Sequence, residues 1–241
     1  GSKVTIKEKV NIKTKKMSRV HRIPLSISNA YLIKGAANIL VDTGSPGEGK
    51  KIIKALERQG LQLSDLSLIL HTHGHSDHYG STHELVKLHP VPTMLHSGDL
   101  HMALSGSNGP IATTTFFSRL LRPLVDKPFQ PHKPEHLADN FSDLSEFGLN
   151  AMLHHTPGHS EGSISIALDS GDIIMGDILM GGMMGGAFFP TRPGYHYFIE
   201  DREKLHRSIE TILQLRGDRY WVGHGGPFTY SAIARWYEKV I

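Results

Sequence analysis

The densest chemistry in the chain is a run of imidazoles with one carboxylate, His71-Thr72-His73-Gly74-His75-Ser76-Asp77-His78. His73 and His75 are two positions apart, so on extended backbone both side chains leave on one side. Two imidazoles on one side can hold one metal ion. Asp77 and His78 are adjacent and diverge where the chain turns, which places them for a second ion. Gly74 and Gly80 permit the tight backbone this needs. Imidazole combined with carboxylate suits zinc, iron, manganese or cobalt. A lone histidine is ordinarily a packed structural residue. A cluster of three imidazoles and a carboxylate is costly to bury unless something coordinates it. The chain has 17 histidines and no cysteine. Thiolate ligands, a thiol nucleophile and disulfides are therefore excluded.

The cluster follows directly on residues 66–70, which read as a short buried strand. Residues 30–33 and 38–41 read as two more strands about the Lys34-Gly35 turn, the second ending in Asp42-Thr43-Gly44. Residues 49–60 read as a helix with Ile52, Ile53 and Leu56 on one face. Residues 82–88 read as a helix stopped by Pro90, and 93–96 as a strand. Further strands are expected at 150–155, 163–168, 173–175 and 219–222, and a long loop at 181–194. Helices are expected at 202–215, with Asp201 near the N-cap, and at 230–240. Residues 97–140 differ. They are rich in Gly, Ser, Pro and His, with Phe116, Phe117, Leu120, Leu121 and Leu124 at helical spacing. They read as one or two short helices in a lid-like excursion, and plain structural packing explains them about as well. The order of elements indicates a layered α/β domain with sheets inside and helices outside.

His73-x-His75-x-Asp77-His78 resembles the signature of the metallo-β-lactamase superfamily, and four more of its motifs follow the same order along the chain. These are Val41-Asp42-Thr43-Gly44, Thr156-Pro157-Gly158-His159-Ser160, Gly176-Asp177 and Gly223-His224-Gly225. The resemblance spans roughly residues 29–226. It implies a four-layer αββα sandwich, two mixed β-sheets flanked by helices, formed as a single domain over residues 3–241. Gly1-Ser2 reads as a cloning scar. It also implies that His73, His75 and His159 hold one metal ion, that Asp77, His78 and His224 hold a second, and that Asp177 bridges them. Two divalent ions are expected, zinc first, with iron or manganese as alternatives. Asp42 is expected to orient ligands rather than bind metal. His71, His154 and His155 read as strand residues. The remaining histidines, His196 among them, show no ligand spacing.

The chemistry so implied is hydrolysis, in which a hydroxide shared by two ions attacks an activated carbonyl of an ester, thioester or lactone. Asp77 is the expected catalytic residue, orienting the water or relaying its proton. The bridging aspartate and the absence of cysteine resemble the glyoxalase II and lactonase branches more than the antibiotic-resistance enzymes. Residues 225–241 carry only Lys239 as lysine, which argues against a glutathione thioester. The loop after Asp177 is expected to line the pocket, with Phe188, Tyr195 and Tyr197 as substrate-binding residues and Met183, Met184 and Phe189 nearby. Met and aromatic residues there serve equally well as core filler. Other readings are a phosphodiesterase or nuclease, a β-lactamase, and a mononuclear iron oxidoreductase resembling the persulfide dioxygenases. A metal-stabilised binding module is a fourth.

Charge bears on partners. Residues 1–22 carry Lys3, Lys7, Lys9, Lys13, Lys15, Lys16, Arg19 and Arg22 against Glu8 alone, although the whole chain is only +3. Val4, Ile6, Val10 and Ile12 alternate with polar residues, so a strand with one wet face guarded by lysines is favoured over a nucleic-acid arm. The expected partner is a small molecule, not a nucleic acid or a membrane. A homodimer is compatible with the sequence, and the expected compartment is the cytoplasm.

Overall fold

Short strands with apolar residues at successive positions bury both of their faces, and strands of this kind form the centre of two stacked sheets that together have ten strands. The computed structural model describes residues 17–109, 113 and 116–241. Its larger sheet has six strands in chain order: Arg19–Pro24 (β1), Asn29–Lys34 (β2), Asn38–Val41 (β3), Leu68–Leu70 (β4), Thr93–Leu95 (β5) and His136–Leu137 (β6). β1 to β3 form an antiparallel meander, and β3 to β6 run parallel. Parallel neighbours need crossovers. Gly49–Arg58 (α1) supplies the first. A single turn Ser76–Tyr79 (α2) with Thr82–Leu88 (α3) supplies the second. Leu100–Ser105 (α4) and Phe116–Val125 (α5) lie in the third.

The second sheet uses Ala151–His155 (β7), Ile164–Leu168 (β8) and Asp172–Ile174 (β9). Met180–Met183 (β10) and Phe188–Gly194 (β11) then leave it as a separate hairpin. After the helix Arg202–Gln214 (α6), Arg219–Trp221 (β12) returns parallel to β9, giving the order β12-β9-β8-β7. Tyr230–Tyr237 (α7) closes the chain.

Alternation along these strands assigns the layers. Ile39, Val41, Leu68 and Leu70 face inward and meet Ile164, Ile166 and Ile174 of the second sheet. The intervening Leu40 and Ile69 face outward, onto Ile52 and Leu56 of α1 and Leu85 of α3. On the other side Ile173 and Tyr220 face outward onto Leu205, Ile209 and Ile212 of α6 and Ile233 of α7. Helix, sheet, sheet, helix follows, as the resemblance implied. Asp201 caps α6 by accepting from Lys204 N at 2.9 Å.

Two expectations change. Residues 181–194 are not a loop. They form most of the β10–β11 hairpin, with a register shift between Gly181 and Met183. Their Gly and Pro content signals a loop, but Gly182, Gly185 and Gly186 take the positive φ of a bulge and a turn. Pro190 and Pro193 sit on a strand of a two-stranded sheet, where edge positions tolerate proline. The strand expected at residues 4–13 lies outside the described residues. The edge of the larger sheet is β1, whose Arg19 and Arg22 are exposed.

Ile174 is fully buried between the sheets. Ile174→Ala is expected to cost about 2–5 kcal/mol, whereas Asp201→Ala should cost about 1 kcal/mol. Urea midpoints of the two variants check the ranking, and an Ile174 loss no larger than the cap loss would contradict the inter-sheet core.

Candidate metal centre

Seven side chains from four strand ends converge at one edge of the sandwich. His73, His75, Asp77 and His78 come from the segment after β4 and from α2. His159 comes from the β7–β8 connection, Asp177 from just after β9, and His224 from just after β12. All seven are buried. His73, His75 and His159 offer ligand atoms within 4.8 Å of one another, and so do Asp77, His78, Asp177 and His224. Asp177 Oδ2 lies between the groups, 3.8 Å from His73 Nε2, 3.5 Å from His159 Nε2 and 3.3 Å from His224 Nε2. The structure thus brings together every residue that the motifs single out as a ligand.

Hydrogen bonds behind the rings decide which nitrogen each presents. His78 Nδ1 donates to Asp42 Oδ2 at 2.8 Å. His159 Nδ1 donates to the Phe198 carbonyl at 2.8 Å, and His224 Nδ1 to the Ile27 carbonyl at 2.6 Å. Thr72 Oγ1 spends its own proton on Asp42 Oδ2, so it accepts from His73 Nδ1 at 3.1 Å. In each of these four rings Nδ1 carries a proton, and Nε2 is the nitrogen turned to the centre. His75 is turned the other way, with Nδ1 3.0 Å from His159 Nε2.

Two buried carboxylates serve as braces. Asp42 also accepts from Thr72 N, so its two oxygens tie the end of β3 to the histidine run. Asp99 accepts from Gly74 N, Ser160 Oγ and Gly162 N at 2.7–2.8 Å, joining the His75 segment to the His159 segment. Asn108 adds a third brace by accepting from Ser76 N at 2.6 Å. Glycine is required where the backbone passes closest. A methyl group on Gly223 would collide with Asp177 Oδ1 and the His78 ring. Gly158 has a φ of 135° and lies against the start of α6, which lets the chain turn into His159.

The electrostatics divide along the same line. Burial and neighbouring imidazoles push His73 and His159 well below the usual histidine range, so both are neutral. Burial also opposes charge on His224, but the facing Asp177 and Asp77 push it up to about 10. His78 is raised in the same way by Asp177, Asp77 and Asp42 against its burial. Asp77 and Asp177 lie below the ordinary carboxylate range. Burial raises them, yet the His78 and His224 imidazoles more than offset it. The centre therefore draws in positive charge. His73 Nε2, His78 Nε2, His224 Nε2 and Asp177 Oδ1 are buried without a hydrogen-bond partner. Buried nitrogen and oxygen atoms left without partners in such a donor set are what divalent cations satisfy, so the residues fit a metal site.

The centre opens into a cavity of about 500 Å³. His75, Asp77, Asp177 and His224 form part of its wall, and Leu25, Ile27, Val125, Met180, Met184 and Pro190 supply apolar surface. Arg22 is the sole Lys or Arg in the lining among the described residues. Of the expected substrate residues, Tyr197 lines the cavity, and its hydroxyl accepts from Met184 N at 3.2 Å. Phe188 does not: it is exposed on β11. Tyr195 does not either. Its hydroxyl meets His206 Nε2 at 2.8 Å, and its ring packs against Trp236 behind the hairpin. Once 181–194 pairs as a hairpin, these two side chains are carried away from the cavity. His196, passed over for lack of spacing, is buried in the wall with Nε2 3.3 Å from Asp177 Oδ2. His159, Asp177 and His196 form a third compact set of potential ligands. Asp99 and Asn108 were missed too, since nothing in the run 97–140 marks them.

Residues 23–224 match a family model described as the metallo-beta-lactamase superfamily. A probable metallo-hydrolase of Methanocaldococcus jannaschii is 29% identical over 199 residues, covering 82% of this chain and 87% of that protein. Among solved structures, the BLEG-1 B3 metallo-beta-lactamase is 26% identical with a TM-score of 0.68, covering 89% of this chain and 95% of that one. The protein TTHA1623, solved in a di-iron-bound form, is 27% identical with a TM-score of 0.64, covering 90% of this chain and 98% of that one.

Two outcomes follow from this geometry. Asp42→Asn puts an amide where three N–H and O–H donors converge, so affinity for zinc, used as the probe ion, should fall about 10–100-fold. Zinc titration against a competing chelator measures it, and unchanged affinity would remove Asp42 from ligand orientation. His78 and His224 carry protons near neutral pH and must release them to bind metal. Zinc affinity should therefore rise with pH between 6 and 8, by about tenfold per unit for each proton displaced. Calorimetry in buffers of different ionisation enthalpy reads the protons directly; zero release would contradict the assignment.

Proposed function

Because the chain belongs to the metallo-β-lactamase superfamily, we propose that it is a dinuclear zinc hydrolase of activated carbonyl compounds: esters, thioesters or lactones. The observation that carries this reading is a buried seven-donor centre set into the wall of a largely apolar cavity. When bound, two divalent ions supply hydroxide near neutral pH and Lewis acidity. The chain's own residues do the rest. Asp77 Oδ2 lies 3.2 Å from His224 Nε2 and 3.7 Å from His78 Nε2. Its carboxylate, kept ionised, would orient the attacking water by accepting its hydrogen bond and relay its proton onward. The apolar wall binds the acyl portion and excludes bulk water, and Arg22 stands at the same wall for an anionic end group.

Among the described residues, one arginine and no lysine in the lining give little purchase for a phosphodiester backbone, which favours the carbonyl reading over a nuclease. Zinc is favoured because five imidazoles and two carboxylates suit it. The same donor set accepts iron, and the di-iron form of TTHA1623 makes iron the comparison to run.

Protein loaded with zinc or with iron should be offered a lactone, a thioester, a β-lactam and a phosphodiester, with proton release recorded at neutral pH. Chelator-sensitive turnover of lactone or thioester is expected, with Asp77→Asn lowering kcat by about 10²–10⁴-fold. Turnover of the phosphodiester alone, or turnover that survives the chelator, would overturn the proposal. Activity on the β-lactam alone would move the substrate to a cyclic amide.

A further inference from the structure

His196 is the one imidazole at the centre that belongs to none of the five motifs. It follows β11 in the chain, and its ring lies 4.5 Å from the His159 ring and 5.2 Å from the His224 ring, edge-on or tilted. Its Nε2 points at Asp177 Oδ2 across 3.3 Å, on the wall of the cavity. By position alone it is an eighth ligand.

Its back side argues otherwise. His73, His78, His159 and His224 each have an acceptor behind Nδ1, which puts the proton there and frees Nε2 for metal. Behind His196 Nδ1 stands a donor, the Phe198 backbone N–H, at 3.1 Å. The Phe198 carbonyl is a longer 3.3 Å from the same atom, and it already accepts from His159 at 2.8 Å. An Nδ1 that accepts carries no proton, so the ring's proton sits on Nε2. One peptide residue thus sets two neighbouring imidazoles to opposite tautomers. His159 shows the centre a lone pair, and His196 shows it an N–H.

We propose that His196 is a hydrogen-bond donor to the substrate and not a metal ligand: its Nε2–H holds the carbonyl oxygen of the bound acyl group. Negative charge develops on that oxygen as the carbonyl carbon is attacked. A fixed donor in a water-poor wall stabilises it without reorganising. The assignment of the oxygen rests on the hydrolase reading above. The tautomer does not. Tyr197 is a cavity-wall hydroxyl nearby in sequence, but its oxygen accepts from Met184 N, which ties it to the hairpin.

The test uses zinc-loaded, 15N-histidine-labelled protein, with His196→Gln to assign the ring signals. Ring-nitrogen NMR should show the His196 proton on Nε2. His196→Ala and His196→Gln should hold as many zinc ions per chain as the wild type, with a wild-type circular dichroism spectrum and a cooperative unfolding transition as the check on folding. Butylphosphonate, whose anionic oxygens imitate the charged carbonyl oxygen, should bind about tenfold or more weakly to His196→Ala. The amide N–H of His196→Gln should restore most of that binding. On a substrate that turns over, kcat should fall about 10²–10³-fold for His196→Ala with little change in KM. A proton on Nδ1 with a zinc-coordinated Nε2, loss of a zinc ion in His196→Ala, or unaltered phosphonate binding would each overturn the proposal. The tautomer, zinc and phosphonate measurements need no turnover. A wild type that hydrolyses no carbonyl substrate would therefore sink the proposed function and leave the donor assignment to be judged on those three.

Discussion

A buried carboxylate ringed by imidazoles is the constraint on which the rest of the structure depends. Asp177 Oδ2 lies 3.3–3.8 Å from ring nitrogens of His73, His78, His159, His196 and His224. An unpaired carboxylate in a protein interior costs several kcal/mol, and only positive charge brought to it offsets that. The groups that face it come from both sheets. His73 and His78 follow β4 of the larger sheet, whereas Asp177 and His224 follow β9 and β12 of the smaller one. The centre is therefore only as well defined as the register between the sheets. That register is held by the inward residues Leu68 and Leu70 packing on Ile166 and Ile174. Core packing and metal geometry are one problem here, since the donors ride on the strands that the core holds in place.

Position alone does not make a ligand; each imidazole must also present the correct nitrogen. Backbone carbonyls of Ile27 and Phe198 settle this for His224 and His159, and the Asp42–Thr72 pair settles it for His78 and His73. Asp42 has a φ of 62° and so sits in a region that aspartate tolerates better than most residues. The strand that ends in Asp42 must bend there to aim both carboxylate oxygens at the histidine run. The Asp-Thr-Gly motif is thus explained by what it orients, not by anything it binds.

The sequence made legible what is local. His73, His75, Asp77 and His78 stand within six positions, so spacing alone implied a ligand cluster. The central strands and helices carry clean apolar alternation or helical spacing, and their positions match within about two residues, the margin expected at element ends. Contacts between distant segments were not legible. Asp99 reaches Ser160 and Gly162 across more than 60 residues of chain. His196 reaches Asp177 from beyond a hairpin that its own Gly and Pro content disguised as a loop. Tyr195 and Phe188 lie away from the cavity for the same reason. In a loop any of these side chains can turn inward, but in β11 and the segment after it pairing decides which do.

The hairpin differs from the centre in how it is held. The metal-facing residues are locked by buried braces, while β10–β11 exposes Met183, Phe188 and Phe189. Met184 and Phe189 hold φ values of 54° and 52°. Bulky residues rarely adopt that region, at a cost on the order of 1–3 kcal/mol each. Strain of that kind persists only where surrounding structure enforces it. Here Gly181 N donates to the His224 carbonyl and Gly226 N to the Pro190 carbonyl, which tie the hairpin to the last histidine motif. The cavity wall formed by Met184 to Ala187 is thereby referenced to the same strand end that delivers His224. Cavity wall and donor geometry share this anchor, so the position of the hairpin and that of His224 are set together.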